Sequence, residues 1–138
     1  MAAILALDVG DKRVGYAVSD PERRLATPKG VFERGGGKAE KELLKLLASG
    51  DYDLLLVGLP LGEKQQETAQ SEKIRSFIRR IERRAAVSVV YVDESHSSLE
   101  AKQRLGLAAN PDQAIRKKGV IDAMAASILL QTYIDSGS

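Results

Sequence analysis

Hydrophobic residues fall along this chain in two rhythms. Residues 2–8 (Ala-Ala-Ile-Leu-Ala-Leu-Asp) form a short apolar run of strand length that ends on a carboxylate. Residues 13–19 alternate Val14, Tyr16 and Val18 with Gly15 and Ala17, a second strand pattern, and Asp20-Pro21 marks a turn. A third strand is expected over 25–32, weakened by Pro28. Three short strands joined by tight turns predict an antiparallel meander. Gly35-Gly36-Gly37 reads as a flexible loop, and 38–48 as a helix with Leu43, Leu44 and Leu47 on one face and Gly50 as its stop.

Beyond residue 50 the rhythm changes. Residues 53–58 (Asp-Leu-Leu-Leu-Val-Gly) are continuously apolar, as in a parallel strand covered on both faces. Ile74, Phe77, Ile78 and Ile81 recur at helical spacing, which predicts an amphipathic helix over about 67–84. Residues 87–92 form another buried strand that runs into Asp93-Glu94. Ser97 or Ser98 can cap a short helix to about Leu105, Asn110-Pro111 reads as a break, and 119–134 as a final, mostly apolar helix. Strand–helix–strand units need right-handed crossovers and parallel pairing. One α/β domain over 1–138 follows, a mixed five-stranded sheet with helices on its faces.

Composition narrows the chemistry. The 138 residues are 43% hydrophobic and include no cysteine, which excludes disulfides, thiolate nucleophiles and Cys-ligated metals. No apolar run approaches membrane-spanning length, and residues 1–7 lack the basic start of a signal peptide, so a soluble cytoplasmic protein without membrane association is expected. Net charge is only +2, but its distribution is uneven. Residues 72–84 carry Lys73, Arg75, Arg79, Arg80, Arg83 and Arg84 against Glu72 and Glu82, six minus two. Residues 102–118 carry Lys102, Arg104, Arg116, Lys117 and Lys118 against Asp112, five minus one. Each stretch is net +4, which suits a phosphate-rich partner; two solvated helix faces would give the same pattern.

Three carboxylates end or interrupt apolar elements: Asp8, Glu94 and Asp122. Asp122 lies in Val-Ile-Asp-Ala-Met-Ala-Ala, a segment with no other charge, where a carboxylate is costly unless paired or metal-bound. In open α/β sheets ligands gather at the carboxyl ends of the parallel strands, where Asp8 and Glu94 belong. Converging carboxylates suit hard cations, Mg²⁺ or Mn²⁺, which serve phosphoryl transfer. As a purely structural alternative, Asp8 caps the glycine turn after it and Asp122 pairs with Lys118. The lone His96 reads as a loop residue, and Tyr16, Tyr52, Tyr91 and Tyr133 as core or edge residues, with no basic–aromatic stacking platform in view. No Ser-His-Asp or Cys-His set supports acyl chemistry. Three acids crowded together without metal would repel, so Asp122→Asn is expected to stabilise the metal-free protein.

The motifs themselves resemble a known family. Leu-Asp-Val-Gly-Asp-Lys-Arg-Val-Gly-Tyr-Ala-Val-Ser-Asp over 7–20 resembles the opening motif of the YqgF/RuvX family, and Val-Gly-Leu-Pro-Leu over 57–61 its second. Val92-Asp93-Glu94 followed by Ser97-Ser98-Leu99-Glu100-Ala101 is similar to the third, and 118–133 to the closing motif. The resemblance implies a ribonuclease H-like fold with sheet order 3-2-1-4-5, one strand antiparallel and helices on both faces. It implies a metal-dependent endonuclease with Asp8, Glu94 and Asp122 as catalytic and metal-binding acids, leaving 5′-phosphate and 3′-hydroxyl ends. Its substrate would be structured nucleic acid, in 5′-end maturation of precursor 16S ribosomal RNA, Holliday-junction resolution, or both. Arg13, Ser97, Ser98, Lys118, Arg79 and Arg83 are the candidate phosphate contacts, and a homodimer is left open. Two departures bear on substrate preference: Ser95 stands where the family has Arg, and 61–66 departs from its Asn-x-x-Gly loop. A non-catalytic nucleic-acid-binding module of the same fold is the alternative. A phosphotransferase of the actin/sugar-kinase type needs two such lobes, and 138 residues provide one.

Overall fold

The computed structural model describes residues 2–10, 12–59, 69–93 and 111–136, with backbone alone for 111–121. Five strands, β1 (Ala3–Val9), β2 (Arg13–Ser19), β3 (Ala26–Glu33), β4 (Tyr52–Leu59) and β5 (Ser88–Asp93), form one sheet in the order β3-β2-β1-β4-β5. β2 is antiparallel to both its neighbours, while β1–β4 and β4–β5 are parallel. Meander and crossover halves thus join at β1, as the alternating and then continuous apolar runs predict.

Helices α1 (Lys38–Ala48) and α2 (Ala69–Glu82) cover one face, and α3 (Pro111–Asp135) the other. Alternation along β1 divides the core accordingly. Leu5, Leu7 and Val9 pack with Leu43, Ile74, Phe77, Ile78 and Ile81, while Ile4 and Ala6 pack with Ala126 and Leu130 of α3. Leu55, Leu56 and Val57 of β4 are wholly buried, as expected of a central parallel strand.

Two local readings change. The Gly35–Gly37 segment is not an open loop but a turn of 3₁₀-helix leading straight into α1, with Gly36 and Gly37 at positive φ that other residues adopt only at a cost. Pro111 does not separate a loop from a helix starting near 119; it begins α3 itself. Proline fits the first helical position because its missing N–H has no intrahelical partner there. The short helix expected after Ser97 lies outside the described residues.

α3 is fastened at two levels. Gln131 accepts the Ala26 backbone N–H at 2.9 Å and donates to the Arg24 carbonyl at 3.2 Å, which ties the end of α3 to the start of β3. One turn of sheet away, Asp122 meets Arg13 at the start of β2. None of the described helices is long and apolar enough to cross a membrane. Among the described residues Leu25 is the one exposed large hydrophobic side chain.

Candidate active site

Asp8 is the penultimate residue of β1, and its cross-strand partner in β2 is Gly15. Directly opposed residues of an antiparallel pair project to the same face. Asp8 shares parity with Ile4 and Ala6, so both positions face α3. There Gly15 has no side chain, and α3 fills the space. A Cβ built on Gly15 would lie 2.3 Å from the backbone carbon and oxygen of Asp122 and 2.7 Å from its Cβ. Opposed Cβ positions in such a pair are about 5 Å apart. Asp8 and Asp122, 114 positions apart in sequence, are therefore both neighbours of Gly15, at the carboxyl edge of the sheet.

A glycine inside a strand signals a close backbone approach. That is the cue by which Gly15, otherwise just one of the small residues of β2, can be recognised as part of the site. Ala17, Ala6 and Ala126 extend the same flat seam and let α3 lie close to the sheet.

Arg13, of the same parity as Gly15, donates its Nε–H to Asp122 Oδ2 at 3.2 Å. Both side chains are about a quarter exposed. The carboxylate in the apolar helix thus has a cationic partner, and it is Arg13 on another element; the Lys118 side chain lies outside the described residues. Arg13 has four further N–H donors on its guanidinium, which leaves it able to meet a phosphate at the rim of the site.

β5 brings its end to the same edge. Tyr91 is level with Val57, which is level with Leu7, so the residues after Tyr91 and those after Leu7 share one rim. Glu94, Ser97 and Ser98 lie outside the described residues. Among the described residues no three His, Cys, Asp or Glu side chains form a metal cluster. Two carboxylates brought together without Cys or His are nevertheless a donor set of hard oxygens, the type that holds Mg²⁺ or Mn²⁺.

Arg79 and Arg83 are exposed on and just beyond α2, on the face of the sheet opposite Asp8. Three guanidinium groups lie over aromatic rings. Arg34 and Arg80 lie over Phe77, with Cζ 4.8 and 5.7 Å from the ring centroid, and Arg75 lies 4.4 Å over Tyr91. Phe77 is a buried core ring, so its two contacts orient guanidinium groups and offer no surface for a base.

A family model described as "RuvX: Holliday junction resolvase" matches residues 2–136. The chain belongs to the RuvX family. A protein of Fusobacterium nucleatum is 35% identical over 136 residues, covering 98% of each chain, and one of Chlorobium luteolum is 36% identical over 135 residues, covering 96% of this chain and 93% of the other. Both are named "Putative pre-16S rRNA nuclease". Among solved structures, Thermus thermophilus RuvC aligns over 98% of this chain and 96% of its own, with a TM-score of 0.56 at 18% identity. The same protein in complex with a Holliday junction substrate aligns over 100% and 97%, with a TM-score of 0.56 at 16% identity. That likeness establishes the ribonuclease H-like fold. RuvX membership gives the activity class, a nuclease acting on phosphodiester bonds.

Proposed function

We propose that this RuvX-family chain is a single-domain, divalent-metal-dependent endonuclease that cleaves structured nucleic acid, with precursor 16S ribosomal RNA as its substrate. The meeting of Asp8 and Asp122 over Gly15 carries the catalytic half of this reading. A phosphate-binding module gains nothing from two carboxylates at its centre, since they repel the ligand. The names of the curated relatives support the RNA half.

In this reading Asp8, Asp122 and Glu94 would hold the divalent cation, Mg²⁺ or Mn²⁺. The chemistry such ions supply is activation of water and stabilisation of the leaving oxygen. Asp8 is fixed by its place in β1, and Asp122 by the seating of α3 on Gly15, so both acids are held on rigid elements. Arg13 keeps Asp122 oriented and turns its remaining donors to substrate phosphate. Ser97, Ser98 and Lys118 contact phosphates near the scissile bond, and Arg79 and Arg83 add diffuse attraction from α2.

Cleavage of end-labelled precursor 16S RNA and of a four-way DNA junction, with and without Mg²⁺ or Mn²⁺, tests the substrate. Faster metal-dependent cleavage of the RNA, leaving a 5′-phosphate, is expected. Preferential cleavage of the junction would transfer the function to resolution of branched DNA.

A further inference from the structure

On the α1/α2 face, just behind the β1–β2 turn, lies a cleft of about 770 Å³ lined by Lys12, Arg34, Lys73, Ser76, Arg80 and Glu33. Four cations face one carboxylate there. Lys73, Ser76 and Arg80 stand at i, i+3 and i+7, one face of α2, while Lys12 comes from the β1–β2 turn and Arg34 follows β3. Neither Lys12 nor Lys73 is paired with a carboxylate among the described residues.

Both guanidinium groups are set in place before any ligand arrives. Arg34 Nη1 donates to the Gly10 carbonyl at 2.6 Å, and its backbone N–H donates to the Lys12 carbonyl at 3.0 Å. Arg80 Nε donates to Glu40 Oε1 at 2.6 Å. Phe77 underlies both guanidiniums. Each guanidinium has five N–H donors, so one bond to the protein fixes the group and leaves most of its fork for a ligand. Ordering two rotamer-rich side chains is then not charged against binding.

We propose that this cleft binds the sugar–phosphate backbone of the nucleic-acid substrate at a position flanking the scissile bond. Arginine forks and lysine ammoniums fit phosphate oxygens, and the buried Phe77 offers no face for a base, so the cleft holds backbone and does not read sequence. Its volume exceeds that of one phosphate. Lys12 and Arg13 are adjacent in the chain, yet Lys12 lines this cleft and Arg13 reaches Asp122 on the other face. The β1–β2 turn is thus the ridge between cleft and acids, over which one strand can pass. The proposal rests on the nuclease reading and extends it to where the substrate is gripped.

The test is the affinity of a labelled stem-loop RNA, measured by fluorescence anisotropy in EDTA. Lys12→Gln/Lys73→Gln should bind about tenfold more weakly near 0.15 M salt, and its slope of log affinity against log salt should flatten by roughly 1.4 to 1.8, as for two lost phosphate contacts. Ser76→Glu, which puts a negative charge in the cleft and removes no cation, should give a comparable loss. Lys29→Gln/Lys41→Gln removes the same charge from exposed positions outside the cleft and should change affinity less than twofold. Equal losses in the cleft and control variants, or none in either cleft variant, would overturn the proposal. So would a cleft variant that loses thermal stabilisation by inorganic phosphate but binds RNA normally, since the cleft would then take a small anion. Binding in EDTA is independent of cleavage, so this outcome is read separately from the metal-dependent assay on which the nuclease reading stands.

Discussion

Arg13 Nε lies 3.2 Å from Asp122 Oδ2, joining the first residue of β2 to a helix residue 109 positions later. This pair reverses the sign expected from three crowded acids. Neutralising Asp122 no longer relieves repulsion alone; it also leaves Arg13 without a charged partner in a partly buried setting. Asp122→Asn should therefore lower stability in EDTA by about 0.5–1 kcal/mol, and a double-mutant cycle with Arg13→Gln should return a coupling of about the same size. Urea melts of the four proteins measure it. If Asp122 holds a cation as proposed, the coupling should shrink in saturating Mg²⁺, because that cation would compete with Arg13 for the carboxylate.

Gly15→Ala is a sharper structural test. The added methyl would sit 2.3 Å from the Asp122 backbone, and neither a strand nor a helix backbone can yield as a side-chain tip does. α3 must lift, at a cost of about 1–3 kcal/mol or more, and it carries Asp122 away from Asp8 as it lifts. Reduced stability together with lost cleavage is expected; a stable, fully active Gly15→Ala would mean that α3 does not seat on β2 at this point.

How far the sequence disclosed this arrangement depends on the range of each interaction. The strands and α1 are legible because period-2 and period-3.6 patterns are local, and the ends of α1 match residue for residue. Asp8 and Asp122 stand out because each is a lone charge in an apolar run. Their meeting over Gly15 is not legible, since it depends on how α3 crosses β1 and β2, strands more than a hundred positions away. Arg13 is marked as a phosphate contact by its charge, while its partner is set by tertiary packing. The start of α3 was hidden because Pro111 both breaks and begins helices, and local sequence alone does not choose between them. The cleft is the least legible feature, since its cations come from the β1–β2 turn, the end of β3 and α2.

Among the described residues, Asp20 contributes to acid stability. The Asp20 carboxylate accepts the backbone N–H groups of Arg24 at 2.7 Å and Leu25 at 3.0 Å, closing the β2–β3 turn. Chiefly the Leu25 bond, then that of Arg24, holds its pKa below the usual 3.8. A depressed folded-state pKa contributes stability above the unfolded value, and that stability is lost as pH falls through the folded one. Asp20→Asn should therefore lose less stability than the wild type as pH falls from about 4 to 2, because an asparagine at position 20 takes up no proton there. Parallel acid dependence in the two proteins would contradict this assignment.

We propose that Asp8 serves chemistry at a metal-dependent site. The decisive measurement is Asp8→Asn, assayed for Mg²⁺-dependent cleavage and, in parallel, for affinity toward the same labelled RNA. In the proposed role the carboxylate would hold a cation and repel phosphate, so cleavage should fall by at least about a thousandfold while affinity stays level or rises slightly. Wild-type turnover by purified Asp8→Asn protein, or a loss of binding equal to the loss of cleavage, would show that Asp8 does not serve the chemistry.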